Sequence, residues 1–296
     1  MPYAWDNGYA YAKAACILGK SFLGKRISLL SGLRSLGELD RLVFAGNQKD
    51  LPGRELLADM EKRIADRAAR RILSVVNSHS CPKLLVQMLK SIKQRTDILK
   101  TSTDSMTLIN ELDFNFYSGL IESLSELTGE DREAAASLIG DEISLRNCVW
   151  ALRLRTYYQK NETETAKYLM KLKLSSTNKV FSMYQRRSSL DCEARASLTF
   201  PLDVRLPWRG WRWEKFLNSE ELSAHWTCDP RFFQNAASRY VYRLAYRCFH
   251  SLPVSVSAVY SFIKLIQFEE DILTSIAEGL SLGMDSSNIF KLLEIN

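Results

Sequence analysis

The stretch Arg54-Glu55-Leu56-Leu57-Ala58-Asp59-Met60-Glu61-Lys62-Arg63-Ile64-Ala65-Asp66-Arg67-Ala68-Ala69-Arg70-Arg71-Ile72-Leu73-Ser74-Val75-Val76 decides the fold class. Leu56, Leu57, Met60, Ile64, Ala68, Ile72, Val75 and Val76 recur at intervals of three and four, which places them on one stripe of an amphipathic helix. Lys62, Arg63, Asp66, Arg67 and Arg70 fill the other face. The same period recurs on either side. Pro82 opens a second helix with Leu84, Leu85, Met88, Leu89 and Ile92 on one side, and proline is tolerated in a first turn because the N–H it lacks has no partner there. Ser35-x-x-Glu38, ahead of Leu39, Leu42 and Val43, has the form of a capping box. Glu130 to Tyr158 holds no proline and no glycine except Gly140, and reads as one long helix or two in sequence. Further on come a helix from about Phe232 to Phe249, a break at Leu252-Pro253, a helix from about Val256 to Gly279 and a short one after Asp285. The best strand candidate, Thr199 to Leu206, is reduced to a loop or an edge by Pro201 and Pro207. The expected class is all-α.

Composition bounds what such a chain can be. Of 296 residues, 46% are hydrophobic and 25% charged, enough apolar mass for a core or two, and length alone suggests about two domains. The most apolar stretch, Val254 to Ile266, is interrupted by Ser255, Ser257, Ser261 and Lys264 and falls short of the roughly 18 apolar residues that a membrane span needs. Met1-Pro2-Tyr3-Ala4-Trp5-Asp6 lacks the basic and apolar regions of a secretory signal, so a cytosolic location is expected. Cys16, Cys81, Cys148, Cys192, Cys228 and Cys248 are far apart without a C-x-x-C pair, and in the cytosol they read as reduced thiols. The net charge of +6 suits either nucleic acid or an anionic membrane face.

Residues that could carry chemistry are few. Gly19-Lys20-Ser21 resembles the end of a phosphate-binding loop, but Ala14 stands where that loop needs its first glycine. His79, His225 and His250 have no nucleophile beside them, and His79 and His250 suit helix C-termini. His79-x-Cys81, His225-x-x-Cys228 and Cys248-x-His250 are too isolated to form a zinc site. Glu130-Asp131-x-Glu133 fits a helix start, and Asp141-Glu142 and Glu269-Glu270-Asp271 read as structural ion-pairing groups for Arg146, Arg153 or Lys264. No cofactor and no metal are expected. Pro207-Trp208-Arg209-Gly210-Trp211-Arg212-Trp213 interleaves three indoles with two guanidinium groups. Trp208, Arg209, Trp211, Arg212 and Trp213 could contact a partner or a membrane surface, or stack on bases; the plainer reading is a loop of partly buried indoles with arginines stacked on them.

A weak internal repeat runs through the chain. Glu142-x-x-x-x-Asn147-x-Val149-Trp150-x-Leu152-Arg153 is echoed by Glu269-Glu270-Asp271-Ile272-Leu273-x-x-Ile276, with a faded copy at Lys93-x-x-x-Asp97-Ile98-Leu99. The unequal spacing excludes a regular solenoid and suits three related helical units.

These elements resemble the C/d family of V/A-type ATPase subunits, whose eukaryotic members are the d subunits. The resemblance runs through Leu252-Pro253-x-Ser255-x-x-x-Val259-Tyr260-x-Phe262-Ile263-Lys264-Leu265-x-x-x-Glu269, Asp271-Ile272-x-x-x-Ile276-x-x-Gly279-x-x-x-Gly283 and Ile289-x-x-Leu292-Leu293. Asn147-Cys148-Val149-Trp150-Ala151-Leu152-Arg153-Leu154-Arg155 is similar to the family's middle element, and Tyr9-Ala10-Tyr11-Ala12-Lys13-Ala14 to its opening. The chain departs from the family pattern at Asp271, where asparagine is usual, and at Ile266 and Phe268, where acidic residues are usual. It also departs at Asp229-Pro230-Arg231, where an acidic helical segment is usual.

The resemblance implies one funnel-shaped, all-α domain over 1–296. Three quasi-repeats, at approximately 1–110, 111–200 and 201–296, would be related by pseudo-threefold symmetry. It implies a non-catalytic central-stalk connector that links the shaft subunits to the membrane proteolipid ring and transmits torque, bound peripherally at the cytoplasmic face of the membrane. Asn147, Arg153, Glu269, Asp271 and Gly279 are the family-type positions expected to support the packing of each unit. The alternatives from other classes are a basic helical nucleic-acid-binding module and, third, a helical metal-dependent lyase or synthase.

Overall fold

The computed structural model describes residues 3–46, 52–76, 105–171, 192–219 and 226–293. The helix read from Pro82, the repeat copy at Asp97, and Cys81, His79 and His225 lie outside the described residues. Among the described residues all regular structure is helical. In chain order the α-helices are α1 (Tyr3–Leu18), α2 (Leu36–Phe44), α3 (Gly53–Val76), α4 (Ser105–Ser123), α5 (Gly129–Tyr157), α6 (Glu162–Thr165), α7 (Cys192–Thr199), α8 (Pro230–Ser251), α9 (Val256–Ser281) and α10 (Ser286–Leu292). The chain divides into two compact units, residues 1–80 with 245–296, and residues 81–244.

The first unit is built from both ends of the chain. Its centre is α3 against α9. On α3 the buried positions are Met60, Ile64, Ala68, Ile72, Val75 and Val76, the stripe that the periodicity marks. Helix α9 is apolar on most sides, and Ile272, Leu273, Ile276 and Leu280 join Met60, Ile64, Phe22, Leu30, Leu39 and Ile289 in one core. Ser255 begins α9 by accepting a hydrogen bond from the Ala258 N–H at 3.0 Å, two residues beyond the break at Pro253. The capping box at Ser35 forms only in part. Its hydroxyl accepts from the Glu38 N–H at 3.3 Å, while the Glu38 carboxylate accepts from the Arg34 N–H at 2.7 Å. Helix α2 ends on Ala45, in the left-handed region at φ 61°.

In the second unit, α5 is the continuous helix read from Glu130 to Tyr158, with Thr128 before it and Glu130 and Asp131 in its first turn. It buries Ala135, Leu138, Ile139, Leu145, Cys148, Ala151, Leu152 and Leu154, so it is covered on more than one side. Helix α7 packs along it. Beyond α7 the segment read as loop or edge is a loop, tied by one backbone bond from the Cys228 N–H to the Leu202 carbonyl at 2.7 Å. It leads to a second core of Leu145, Cys148, Leu152, Trp208, Trp211, Trp213 and Phe233.

At Gly279, α9 is in close contact with Ile289 of α10. A Cβ there would lie 2.4 Å from Ile289 Cδ1 and 2.6 Å from Ile289 Cγ1, so α10 can seat only against a glycine. Gly279→Ala gains about 1 kcal/mol of helix propensity but overpacks the contact by about 1–3 kcal/mol. A net loss is expected, larger for Gly279→Val. In urea denaturation, Gly279→Ala combined with Ile289→Ala should cost less than the sum of the single changes, because the two share one space.

Candidate functional site

The polar residues that the sequence singles out are placed at helix junctions. Glu269, on α9, is 1% exposed. Its Oε1 accepts from the Phe22 N–H at 2.8 Å and from Arg67 Nη1 and Nη2 at 3.1 and 3.2 Å. Its Oε2 accepts from Arg71 Nη1 at 2.7 Å. One carboxylate therefore ties α9 to two arginines one turn apart on α3 and to the chain just after α1. Charge-assisted bonds of this kind are short and strong, and they offset the cost of burying the charge. Burial holds the Arg67 guanidinium below its ordinary value, with Glu269 opposing the shift. Nearby, Arg63 Nη2 lies 2.7 Å from the buried Asp40 of α2 and its guanidinium stacks on Phe44. The polar face of α3 is thus half-buried at Arg63 and Arg67, as is Arg71 beside it, and exposed at Lys62, Asp66 and Arg70.

In the second unit Asn147 is buried on α5 and pairs with both backbone groups of Met170. Its Oδ1 accepts from the Met170 N–H at 2.9 Å and its Nδ2 donates to the Met170 carbonyl at 3.2 Å. Arg153 is exposed and donates to Gln234 on α8 at 3.2 Å. Its neighbour Arg155 does more, donating to the Ser197 and Phe200 carbonyls at 2.7 and 2.8 Å. Those carbonyls belong to the C-terminal end of α7, where a helix leaves acceptors unfilled. Asp141 accepts from Arg212 at 2.7 Å and from the Tyr240 hydroxyl at 2.8 Å, joining α5, the tryptophan loop and α8. Glu142 accepts from the Tyr117 hydroxyl at 2.7 Å, and Arg146 pairs with the buried Asp113 of α4. Asp141, Glu142 and Glu269 thus each accept from a partner on another element, and Arg146 pairs with Asp113 of α4. Asp271 is exposed on α9, and Gly279 faces α10.

The tryptophan segment turns inward. Trp208, Trp211 and Trp213 are 0, 9 and 3% exposed. Trp208 donates to the Pro201 carbonyl at 2.8 Å, Trp211 stacks on Phe233, and Trp213 meets Tyr240 edge-on. These indoles are core, so they present no stacking platform for bases; of the five residues, only Arg209 and Arg212 reach the surface. Arg212 lies over the Trp213 ring at 4.2 Å while it pairs with Asp141. Asp229-Pro230-Arg231 starts α8. Asp229 Oδ1 accepts from the Arg231 N–H at 2.9 Å and the carboxylate is gripped by the Arg231 guanidinium, with Pro230 opening the helix. Among the described residues no three His, Cys, Asp or Glu side chains are grouped to hold a metal, and no helix is long and apolar enough to cross a membrane.

The arrangement is that of an all-helical protein whose buried polar side chains fasten one helix to another. The model of the family described as "ATP synthase (C/AC39) subunit" matches residues 42–292. The chain belongs to this family, the C/d subunits of V/A-type ATPases. An "Uncharacterized protein" of Treponema pallidum (strain Nichols) is 30% identical over 178 residues, 58% of this chain and 48% of that protein. The chain thus spans about half the length of that curated relative.

Two outcomes follow from the geometry. Glu269→Ala strands two half-buried guanidinium groups and should cost about 3–5 kcal/mol in urea denaturation followed by far-UV circular dichroism. Glu269→Gln keeps an acceptor for the Phe22 N–H and should cost less. At Asp229 the Arg231 hydrogen bond holds the carboxyl below its ordinary range. A depressed folded value contributes stability above the unfolded value, lost as the pH falls through the folded one. Asp229→Asn should therefore lower the melting temperature at neutral pH. That difference should shrink once the pH drops well below about 4.

Proposed function

We propose that this chain is the non-catalytic central-stalk connector of a rotary V/A-type ATPase, joining the shaft subunits to the membrane proteolipid ring. The observation that carries the reading is membership of the C/AC39 subunit family over residues 42–292. The helical body supports it. A connector that passes torque must resist shear between its helices, and close-packed interiors have low compressibility. The Glu269, Asp40 and Asn147 junctions add directional ties that apolar packing lacks. In this reading the protein is peripheral at the cytoplasmic face, its three quasi-repeats form a funnel with pseudo-threefold symmetry, and the funnel receives the foot of the shaft. Asn147, Arg153, Glu269, Asp271 and Gly279 act by keeping each unit in shape, and no residue makes or breaks a covalent bond.

Mild detergent extraction of the native membrane should recover the chain with a ring of small proteolipid subunits and with shaft subunits. Recovery of the chain free of both would overturn the proposal.

A further inference from the structure

Between α1 and α2 the chain runs Gly19-Lys20-Ser21-Phe22-Leu23-Gly24-Lys25-Arg26-Ile27-Ser28-Leu29-Leu30-Ser31-Gly32-Leu33-Arg34, with four basic residues and no acidic one. A seven-residue 3-10 helix, Gly24–Leu30, forms its middle. The two faces of this segment differ. Phe22 and Leu30 are buried in the core of the first unit, and the Phe22 N–H is fixed by Glu269. Lys20, Lys25, Arg26 and Arg34 are all exposed, and so is Leu29 at 47%. None of the four basic side chains forms a salt bridge among the described residues. Of the carboxylates around the segment, Glu269 is buried beneath Phe22, Asp40 is buried against Arg63, Glu38 accepts from the Arg34 backbone N–H, and Asp285 is exposed at the Leu33 end, next to Ser286, whose N–H donates to the Leu33 carbonyl.

We infer that the Gly19–Arg34 segment is a docking surface for an anionic lipid bilayer. Its four exposed cations, with no acidic residue within the segment, complement a negatively charged leaflet, where each Lys or Arg near the surface strengthens attraction about fivefold. An exposed leucine flanked by cations is what the headgroup boundary accommodates, with the apolar group inserted and the charges in the interface. A purely electrostatic partner such as nucleic acid has no use for Leu29. The segment is anchored from beneath by core residues, so binding requires little ordering of the chain.

The inference stands on this surface alone and is tested without ring or shaft. The purified full chain is floated with vesicles of phosphatidylcholine, or of phosphatidylcholine with phosphatidylserine. Binding to the anionic vesicles that weakens with added salt is expected, with little to the neutral ones. Lys25→Gln with Arg26→Gln should reduce that binding on the order of twentyfold. Leu29→Asn should reduce it severalfold and leave the salt dependence unchanged. All these residues are exposed, so melting temperatures should match the parent chain. Equal binding to both vesicle types, no binding, or binding indifferent to these changes overturns the inference. So does preferential binding to duplex DNA or RNA over the anionic vesicles. Failure here leaves the ring-and-shaft recovery untouched, so the two proposals fail separately.

Discussion

The carboxylate of Glu269 fixes the first unit. It lies in a core that α9 fills with Ile272, Leu273 and Ile276, and it is accommodated there because three separate donors converge on it. Buried ion pairs of this kind are a weak source of net stability, since desolvation offsets much of the attraction. They do discriminate between alternative packings. Sliding α9 by one turn along α3 would carry Glu269 away from Arg67 and Arg71 and leave a bare charge among aliphatic side chains. Apolar contacts alone would tolerate that shift better, since leucine and isoleucine find similar neighbours a turn away. The acceptor for the Phe22 N–H adds a third constraint and fixes where the chain leaves α1.

The same logic appears in the second unit with the chemistry rearranged. There the buried carboxylate is Asp113 on α4 and the arginine is Arg146 on α5, so the helix that carries the repeat motif supplies the cation instead of the anion. Glu142, on the same helix, is held by a tyrosine hydroxyl. Asn147 takes a further role by completing the backbone pairing of Met170. Both units thus bury polar junctions between helices, while the partners at each junction are particular to it.

This explains what was legible in the sequence. Helix identity followed from local periodicity: the stripe from Met60 to Val76, the long stretch from Glu130 to Tyr158 and the cap at Ser35 all depend on residues within a turn or two. That Asn147, Glu269 and Gly279 fall on motif positions was readable. Their partners were not, because Glu269 and Phe22 are 247 residues apart and Glu269 and Arg67 are 202. Arg67 looked like a solvent residue, since periodicity assigns a face and not what covers it. Arg155 was overshadowed by Arg153 because both match basic motif positions, and only the location of the α7 carboxyl end separates them. For the tryptophan segment, alternation with arginine leaves an exposed strip open beside the plainer reading of buried indoles with stacked arginines; the structure has the latter, with Arg212 over Trp213 and with Arg209 and Arg212 exposed.

In the proposed connector role, such junctions would have to carry load. The first unit, residues 1–80 with 245–296, is centred on the α3–α9 contact. Shear along that contact is opposed by the guanidinium groups gripping Glu269, and shear at the end of α9 by the seat of Ile289 on Gly279. One is a directional polar tie and the other a steric stop, placed ten residues apart on a single helix. Either alone leaves the helix able to pivot about the point held; together they fix both its register and its tilt.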